Sequence, residues 1–285
     1  RQTGVWTGID ALSRLTDSGP LITESEDPAM NRAAIAAVGA VFFATSLAAT
    51  DAGGTPIGNW IKLEPYLNVY DLQRSQQYTN CFFDPIDDGS TDRTVEVAKE
   101  IGVDHIVRNK RNLGLARTFR TGIEACLAEG ADIIVNTDGD NQYAGDEIPR
   151  LVEPVWSGSV DIVIGDRETH KVAHFSKGKK FLQWLGSGIV RKLAGIWVPD
   201  TVSGFRAFSR EAAIRTNIVS PFSYTIETVI QAGKKDIAVE SVPIRTNPKT
   251  RESRLFKSIP NYLCKSAITI VRIFVVYKPF RFFMA

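Results

Sequence analysis

Residues 133–143 decide the reading: Ile133-Ile134-Val135-Asn136-Thr137-Asp138-Gly139-Asp140-Asn141-Gln142-Tyr143. An apolar run, Ile133 to Val135, ends abruptly in two carboxylates separated by one residue. Its β-branched composition is that of a buried strand. Gly139 between the acids lets the backbone turn tightly. Two hard oxygen ligands at a strand end, followed by a polar turn, suit a divalent cation that also holds a diphosphate.

Working outward, strand and helix signals alternate at short spacing. Upstream, Asp87-Asp88-Gly89-Ser90-Thr91-Asp92 is a polar turn leading into a helix over Arg93–Ile101. His105–Val107 reads as a short strand, Asn109–Gly114 as a turn, and Leu115–Glu129 as an amphipathic helix with Gly130 as its C-cap. Ala131–Val135 is the strand that ends at the acid pair. Downstream come a helix from Asp146 to about Trp156, a strand over Val160–Gly165, a basic helix over Lys177–Ala194, a polar loop over Pro199–Ser209 and a strand over Ala238–Ile244. Such alternation predicts an α/β fold, a mostly parallel sheet with helices on both faces. Ligands of such sheets bind beyond the carboxyl ends of the strands. Asp87-Asp88, Asp138/Asp140 and Gly165-Asp166-Arg167 fall at those ends. Asp92, Asp146 and Asp166 read as helix caps or turn residues.

The flanks are less informative. The net charge of +2 is too small for a nucleic-acid partner. Cys81, Cys126 and Cys264 are widely spaced and fit a reducing compartment. His170 and His174 have helical spacing but no third ligand, and read as loop or surface residues. The chain begins at Arg1, which reads as a fragment or a processed product. The uncharged run Ala33–Thr50 resembles a signal-peptide pattern, and reads otherwise as a membrane span at the lower length limit or as a buried or interfacial helix. Pro85 argues against a central strand over Cys81–Ile86. Residues 1–85 therefore read as an atypical N-terminal region, 86–256 as the catalytic domain and 257–285 as an amphipathic juxtamembrane segment. In that last segment Ile268, Ile270, Val271, Ile273, Phe274, Val275 and Val276 precede Lys278 and Arg281, a pattern of membrane-interface helices.

Taken together, Asp87-Asp88-Gly89-Ser90-Thr91-Asp92, Asn112-Leu113-Gly114 and Asp138-Gly139-Asp140-Asn141-Gln142 resemble the inverting GT-A glycosyltransferases of family 2, a Rossmann-like fold. Ser203-Gly204-Phe205-Arg206-Ala207-Phe208, Val242-Pro243-Ile244 and Arg251-Glu252-Ser253-Arg254-Leu255 resemble its polyprenyl-phosphate branch, similar to dolichol-phosphate mannose synthase. The resemblance implies that Asp87 and Asp88 meet the nucleoside, with Asn112 and Gly114 on the same donor side. It implies that Asp138 and Asp140 hold Mg²⁺ or Mn²⁺, with Gln142 beside the metal. Arg167, Lys180, Ser187, Ser203 and Arg206 would serve the acceptor, and Arg251 the donor phosphates. The family's opening Pro-x-Tyr-Asn-Glu-like segment is not found; Pro65-Tyr66-Leu67-Asn68 is a faint echo.

The implied activity is transfer of a hexose from a GDP- or UDP-sugar to a polyprenyl phosphate, dolichyl or undecaprenyl, at the cytoplasmic face of a membrane. Such an acceptor is already anionic and needs no general base. Two alternatives are a polysaccharide acceptor and a non-catalytic nucleotide-sugar-binding remnant. A strand from residues 50–86 beside Ala131–Val135 would complete the nucleotide wall. A phosphatase of the Asp-x-Asp-Gly-Thr type is excluded, because Asn136 stands where the nucleophile must be.

Overall fold

The structure is a computed structural model that describes residues 35–38, 40–41, 79–100, 103, 105–139, 142–169, 177–247, 259–277, 280 and 283–284. Among these, nine strands are β1 (Ile35–Val38), β2 (Ala40–Val41), β3 (Thr79–Phe83), β4 (Ile86–Asp87), β5 (Val107–Arg108), β6 (Ile133–Asp138), β7 (Ile162–Asp166), β8 (Arg206–Ser209) and β9 (Val239–Pro243). The longer helices are α1 (Thr94–Glu100), α2 (Leu115–Ala128), α3 (Ile148–Trp156), α4 (Lys177–Ala194), α5 (Arg210–Arg215), α6 (Tyr224–Lys234) and α7 (Ile259–Tyr277).

The main sheet has the order β3-β1-β6-β8-β7-β9, with β2 also on β6. Its β1–β3, β1–β6, β2–β6 and β7–β9 ladders are parallel. Only β8 runs the other way, between β6 and β7. A separate parallel pair joins β4 to β5.

Period-two alternation on the central strands divides the interior into two cores. Ile133, Val135, Val163, Phe205 and Ala207 face α3, where they bury Ile148, Leu151, Val152 and Val155. Ile134, Ile162, Ile164 and Phe208 face the opposite layer of α2, α5 and α6, where Phe119, Ile123, Ala212, Ile226 and Val229 are buried. Each fully buried aliphatic or aromatic side chain contributes about 1.5–3 kcal/mol. Helices therefore cover both faces, as the alternation predicts. The end of α2 shows how locally this is encoded. Gly130 takes φ +87°, its N–H reaches Leu127 O, and the Ala131 N–H reaches Cys126 O at 3.0 Å. That is a Schellman stop, and it delivers the chain into β6.

Three expectations change. Ile35–Val38 and Ala40–Val41, inside the run read as a span or helix, are strands, with Ala37 paired to Ile134 and Ala40 to Thr137. The strand sought in residues 50–86 beside Ala131–Val135 is therefore β1, and Thr79–Phe83 lies one place further out. Pro85 acts as the proline rule requires: β3 stops at Phe83, and Ile86 restarts in the second sheet against Val107. Finally, Arg206–Ser209 is not loop but a central strand. The tail is helical over Ile259–Tyr277, and among the described residues no helix is long and apolar enough to cross a membrane.

Candidate active site

The antiparallel register pairs Asn136 with Arg206, and continuing it sets Gly204 across from Asp138. The acid stretch and the Ser203-Gly204-Phe205-Arg206 motif, 65 residues apart between Asp138 and Ser203, thus meet at one sheet end. The approach is tight. A Cβ on Gly204 would stand 2.9 Å from Asp138 Oδ2 and 2.9 Å from the Tyr224 hydroxyl. A larger residue there would have to displace both side-chain ends.

Gly204 is held on both sides. Its N–H donates to the Tyr143 hydroxyl at 2.9 Å, and its carbonyl accepts from Asn136 Nδ2 at 2.6 Å. The same Asn136 amide donates to the Tyr224 hydroxyl at 2.9 Å. Burial pushes the Tyr143 phenol up to about 12, and the Tyr224 phenol also rises, through burial first and the Asp138 charge second. Both hydroxyls therefore stay protonated at neutral pH.

Arg167, one residue beyond β7, forms a bidentate pair with Asp200, Nε to Oδ2 at 2.7 Å and Nη2 to Oδ1 at 3.0 Å. Burial alone would lower the guanidinium and raise the carboxyl. Their mutual charge reverses both, so that Arg167 is held above its ordinary value and Asp200 below it. The fork geometry suits arginine and not lysine.

Arg206 has no exposed surface. Its Nε donates to Ser203 O at 2.8 Å, its Nη2 to Thr201 O at 3.0 Å, and its Nη1 to the Thr228 hydroxyl of α6. Burial lowers its guanidinium to about 10. The expected acceptor contact of Arg206 is thus replaced by a structural one, since every N–H group that bonds is committed inward. Ser187 is buried as well and accepts from the Thr201 hydroxyl at 3.1 Å. The Ser203 Oγ is buried without a hydrogen-bond partner among the described residues.

The donor-side acids divide their work. Asp88 accepts from Leu113 N and Gly114 N, both at 2.8 Å, and from Asn109 Nδ2 at 2.9 Å. It ties the Asn112-Leu113-Gly114 turn to the end of β4. Asp87, also buried, accepts from Ser90 N at 3.0 Å and lies 3.0 Å from Arg108 Nε. Asn112 itself is exposed. Gln142 presents its carbonyl to Asn247 N at 2.8 Å, which joins the acid turn to the segment after β9. Arg245 in that segment pairs with Glu147 at 2.5 Å and with Asp146.

Asp140 and Arg251 lie outside the described residues, as does the side chain of Lys180. Among the described residues no three metal-binding side chains cluster. The fit to a divalent ion rests on donor chemistry. Asp138 offers hard carboxylate oxygens at the end of β6, against a glycine whose missing Cβ leaves them room. Asn136, Tyr143, Asp200 and Tyr224 carried no role in the sequence. Asn136 and Tyr143 stand inside the quoted stretch, but only the β6–β8 pairing reveals what they touch.

The model of the family "Glycosyl transferase family 2" matches residues 74–216. The chain belongs to this family. An uncharacterized protein of Methanocaldococcus jannaschii is 33% identical over 166 residues, 56% of this chain and 68% of that protein. UDP-N-acetylglucosamine–dolichyl-phosphate N-acetylglucosaminyltransferase of Methanococcus voltae is 28% identical over 200 residues, 63% of this chain and 79% of that enzyme. Glucosyl-3-phosphoglycerate synthase of Mycobacterium tuberculosis, in a complex with Mn²⁺, UDP and glucosyl-3-phosphoglycerate, shares the fold at a TM-score of 0.56. It is 16% identical, and the match covers 86% of this chain and 80% of that one. This family 2 glycosyltransferase thus has the GT-A fold.

Proposed function

We propose that the enzyme moves a hexose from a nucleotide-sugar, with GDP or UDP as the carrier, to a polyprenyl phosphate at the cytoplasmic face of a membrane. The observation that carries this is the meeting of Asp138 with the Gly204 loop and the Arg167–Asp200 pair at one sheet end. A relative named for transfer to dolichyl phosphate supports the acceptor class.

The donor diphosphate would lie against Asp138 and Asp140, with Gln142 beside them. These residues would hold Mg²⁺ or Mn²⁺, which neutralises charge on the leaving diphosphate. Asp87 and the turn that Asp88 pins would frame the nucleoside. The chain's own residues then do the rest by alignment and charge. Arg167, oriented by Asp200, would meet the acceptor phosphate, and the unpartnered Ser203 Oγ lies on the same loop. Arg251 would add a further cation on the donor side. A lipid phosphate is anionic at neutral pH, so its oxygen attacks the anomeric carbon without a base, and a single displacement inverts that centre.

The test is turnover by the purified protein with nucleotide-sugar, Mn²⁺ and polyprenyl phosphate, with the glycolipid measured by mass spectrometry. Asp138→Ala is expected to lower the rate by at least about a hundredfold. An unchanged rate removes Asp138 from the metal set. Transfer to oligosaccharide but not to lipid phosphate favours the polysaccharide reading. Nucleotide binding without any transfer favours the remnant.

A further inference from the structure

We infer that Tyr143 and Asn136 are positioning residues that set the distance between the acceptor-side loop and the acid stretch; the inference rests on the acceptor reading above. The fastenings of the loop Asp200–Phe205 carry it. Asp200 ties the loop to Arg167 beyond β7. Thr201 ties it to Ser187 on α4. Arg206 ties Thr201 and Ser203 to Thr228 on α6. None of these side-chain bonds reaches β6, which carries Asp138 and meets β8 through the ladder that pairs Asn136 with Arg206.

Beside that ladder, side chains fasten the loop to the acid stretch at Gly204. The Tyr143 hydroxyl takes its N–H and the Asn136 amide takes its carbonyl, so the peptide is gripped from both ends. Asn136 lies two residues before Asp138 on the same strand. Tyr143 follows Asp138 by five residues, and its backbone bridges to Thr246 beyond β9. Its ring also stacks on Phe205, with centroids 5.1 Å apart and planes 26° apart. The grip therefore spans the acid pair on both sides in sequence and closes on a glycine whose missing Cβ leaves room for the Asp138 carboxylate. Neither side chain needs to meet substrate. Each holds a peptide whose shift would move Arg167's partner loop relative to Asp138. A misplacement of about 1 Å can cost about a hundredfold in rate.

Two variants open one side of the grip each. Tyr143→Phe keeps the ring stack and removes one hydroxyl, and Asn136→Leu keeps the branched shape and removes the amide. Amide hydrogen exchange at Gly204, read in the intact protein, is expected to speed up at least about tenfold in Tyr143→Phe. The acceptor KM is expected to rise at least about fivefold in both variants, while the nucleotide-sugar KM holds within about twofold. Unchanged exchange at Gly204 in Tyr143→Phe overturns the inference, as does a rise confined to the donor KM. A fall in melting temperature with both KM values intact reduces the pair to structural residues and also overturns it. If the wild type glycosylates no lipid phosphate, the acceptor reading falls, and exchange at Gly204 decides the grip by itself.

Discussion

Arg206 keeps a guanidinium where no water reaches, and its bonds end on neutral oxygens of Thr201, Ser203 and Thr228. Burial lowers its affinity for the proton, yet at about 10 it remains charged at neutral pH. A buried charge with no carboxylate against it is kept only when its N–H groups are well bonded. Removing them leaves two buried carbonyls unpaired, each costing about 1–3 kcal/mol. Arg206→Met, which keeps length and loses the donors, is therefore expected to destabilise the fold by on the order of 3 kcal/mol. Urea unfolding measures it. A stability equal to that of the wild type would show that an apolar chain substitutes for the guanidinium, as it does in some buried ion sites. The family resemblance of the Ser203-Gly204-Phe205-Arg206 motif pointed Arg206 toward the acceptor. Its burial follows from the pairing of β8 between β6 and β7, which no local pattern carries.

At the scale of the element, the turn after β4 shows why one carboxylate of the Asp87-Asp88 pair is architectural. Gly89 has φ +74°, and a Cβ there would stand 2.6 Å from the Arg111 carbonyl carbon and 2.8 Å from Asn112 N. Both are backbone atoms of the turn that Asp88 pins, so neither can swing away. Gly89→Ala combines the strained φ with that collision. It is expected to cost on the order of 2 kcal/mol and to weaken nucleotide binding; thermal unfolding and titration calorimetry measure the two. Full affinity in Gly89→Ala would separate this turn from the nucleoside. The elements around it were legible from sequence where local signals agree. In α2 the helical period, Gly114 before it and Gly130 after it all point the same way, and in β6 the β-branched run ends at acids. The element β1 was not legible. Ile35-Ala36-Ala37-Val38 sits in an Ala-rich run as compatible with helix as with strand, and its identity comes from distant ladders to β3 and β6. The candidate site divided in the same way. Asp138 declared itself at a strand end, whereas Asp200 and Tyr224 acquire meaning only through the partners that the sheet order brings to them.

For the molecule as a whole, the outer surface of α7 bears on where the enzyme works. Its inward face sets Ser266, Thr269 and Ile273 against the body, and the Thr269 hydroxyl lies 3.4 Å from that of Ser220. Its outward face shows Leu263, Ile268, Val271 and Val276, with Phe280, Phe283 and Met284 exposed beyond the helix end. Ile270 and Tyr277 also pack partly buried against the core, yet large apolar side chains point out as well, unlike a helix solvated on its free side. On α4, Trp184, Leu185 and Ile189 are likewise exposed, and Trp197 just after it lies under Arg191 at 4.6 Å. Indole and guanidinium together suit the boundary of a bilayer, where one end of a side chain is apolar and the other wet. A peripheral seat at a membrane needs no spanning helix, and it would bring a polyprenyl phosphate to the enzyme in two dimensions. Ile268→Ser combined with Val271→Ser removes apolar area from the outward face without touching the buried one. Each exposed aliphatic chain contributes about 1.5 kcal/mol or more when buried, so vesicle affinity is expected to fall more than about tenfold. Co-sedimentation with vesicles containing phosphatidylglycerol measures this, with thermal unfolding expected to match the wild type because both side chains are solvated in the free enzyme. Equal sedimentation of the double variant and the wild type would take α7 off the membrane and leave the exposed tryptophans beside α4 as the surface to change next.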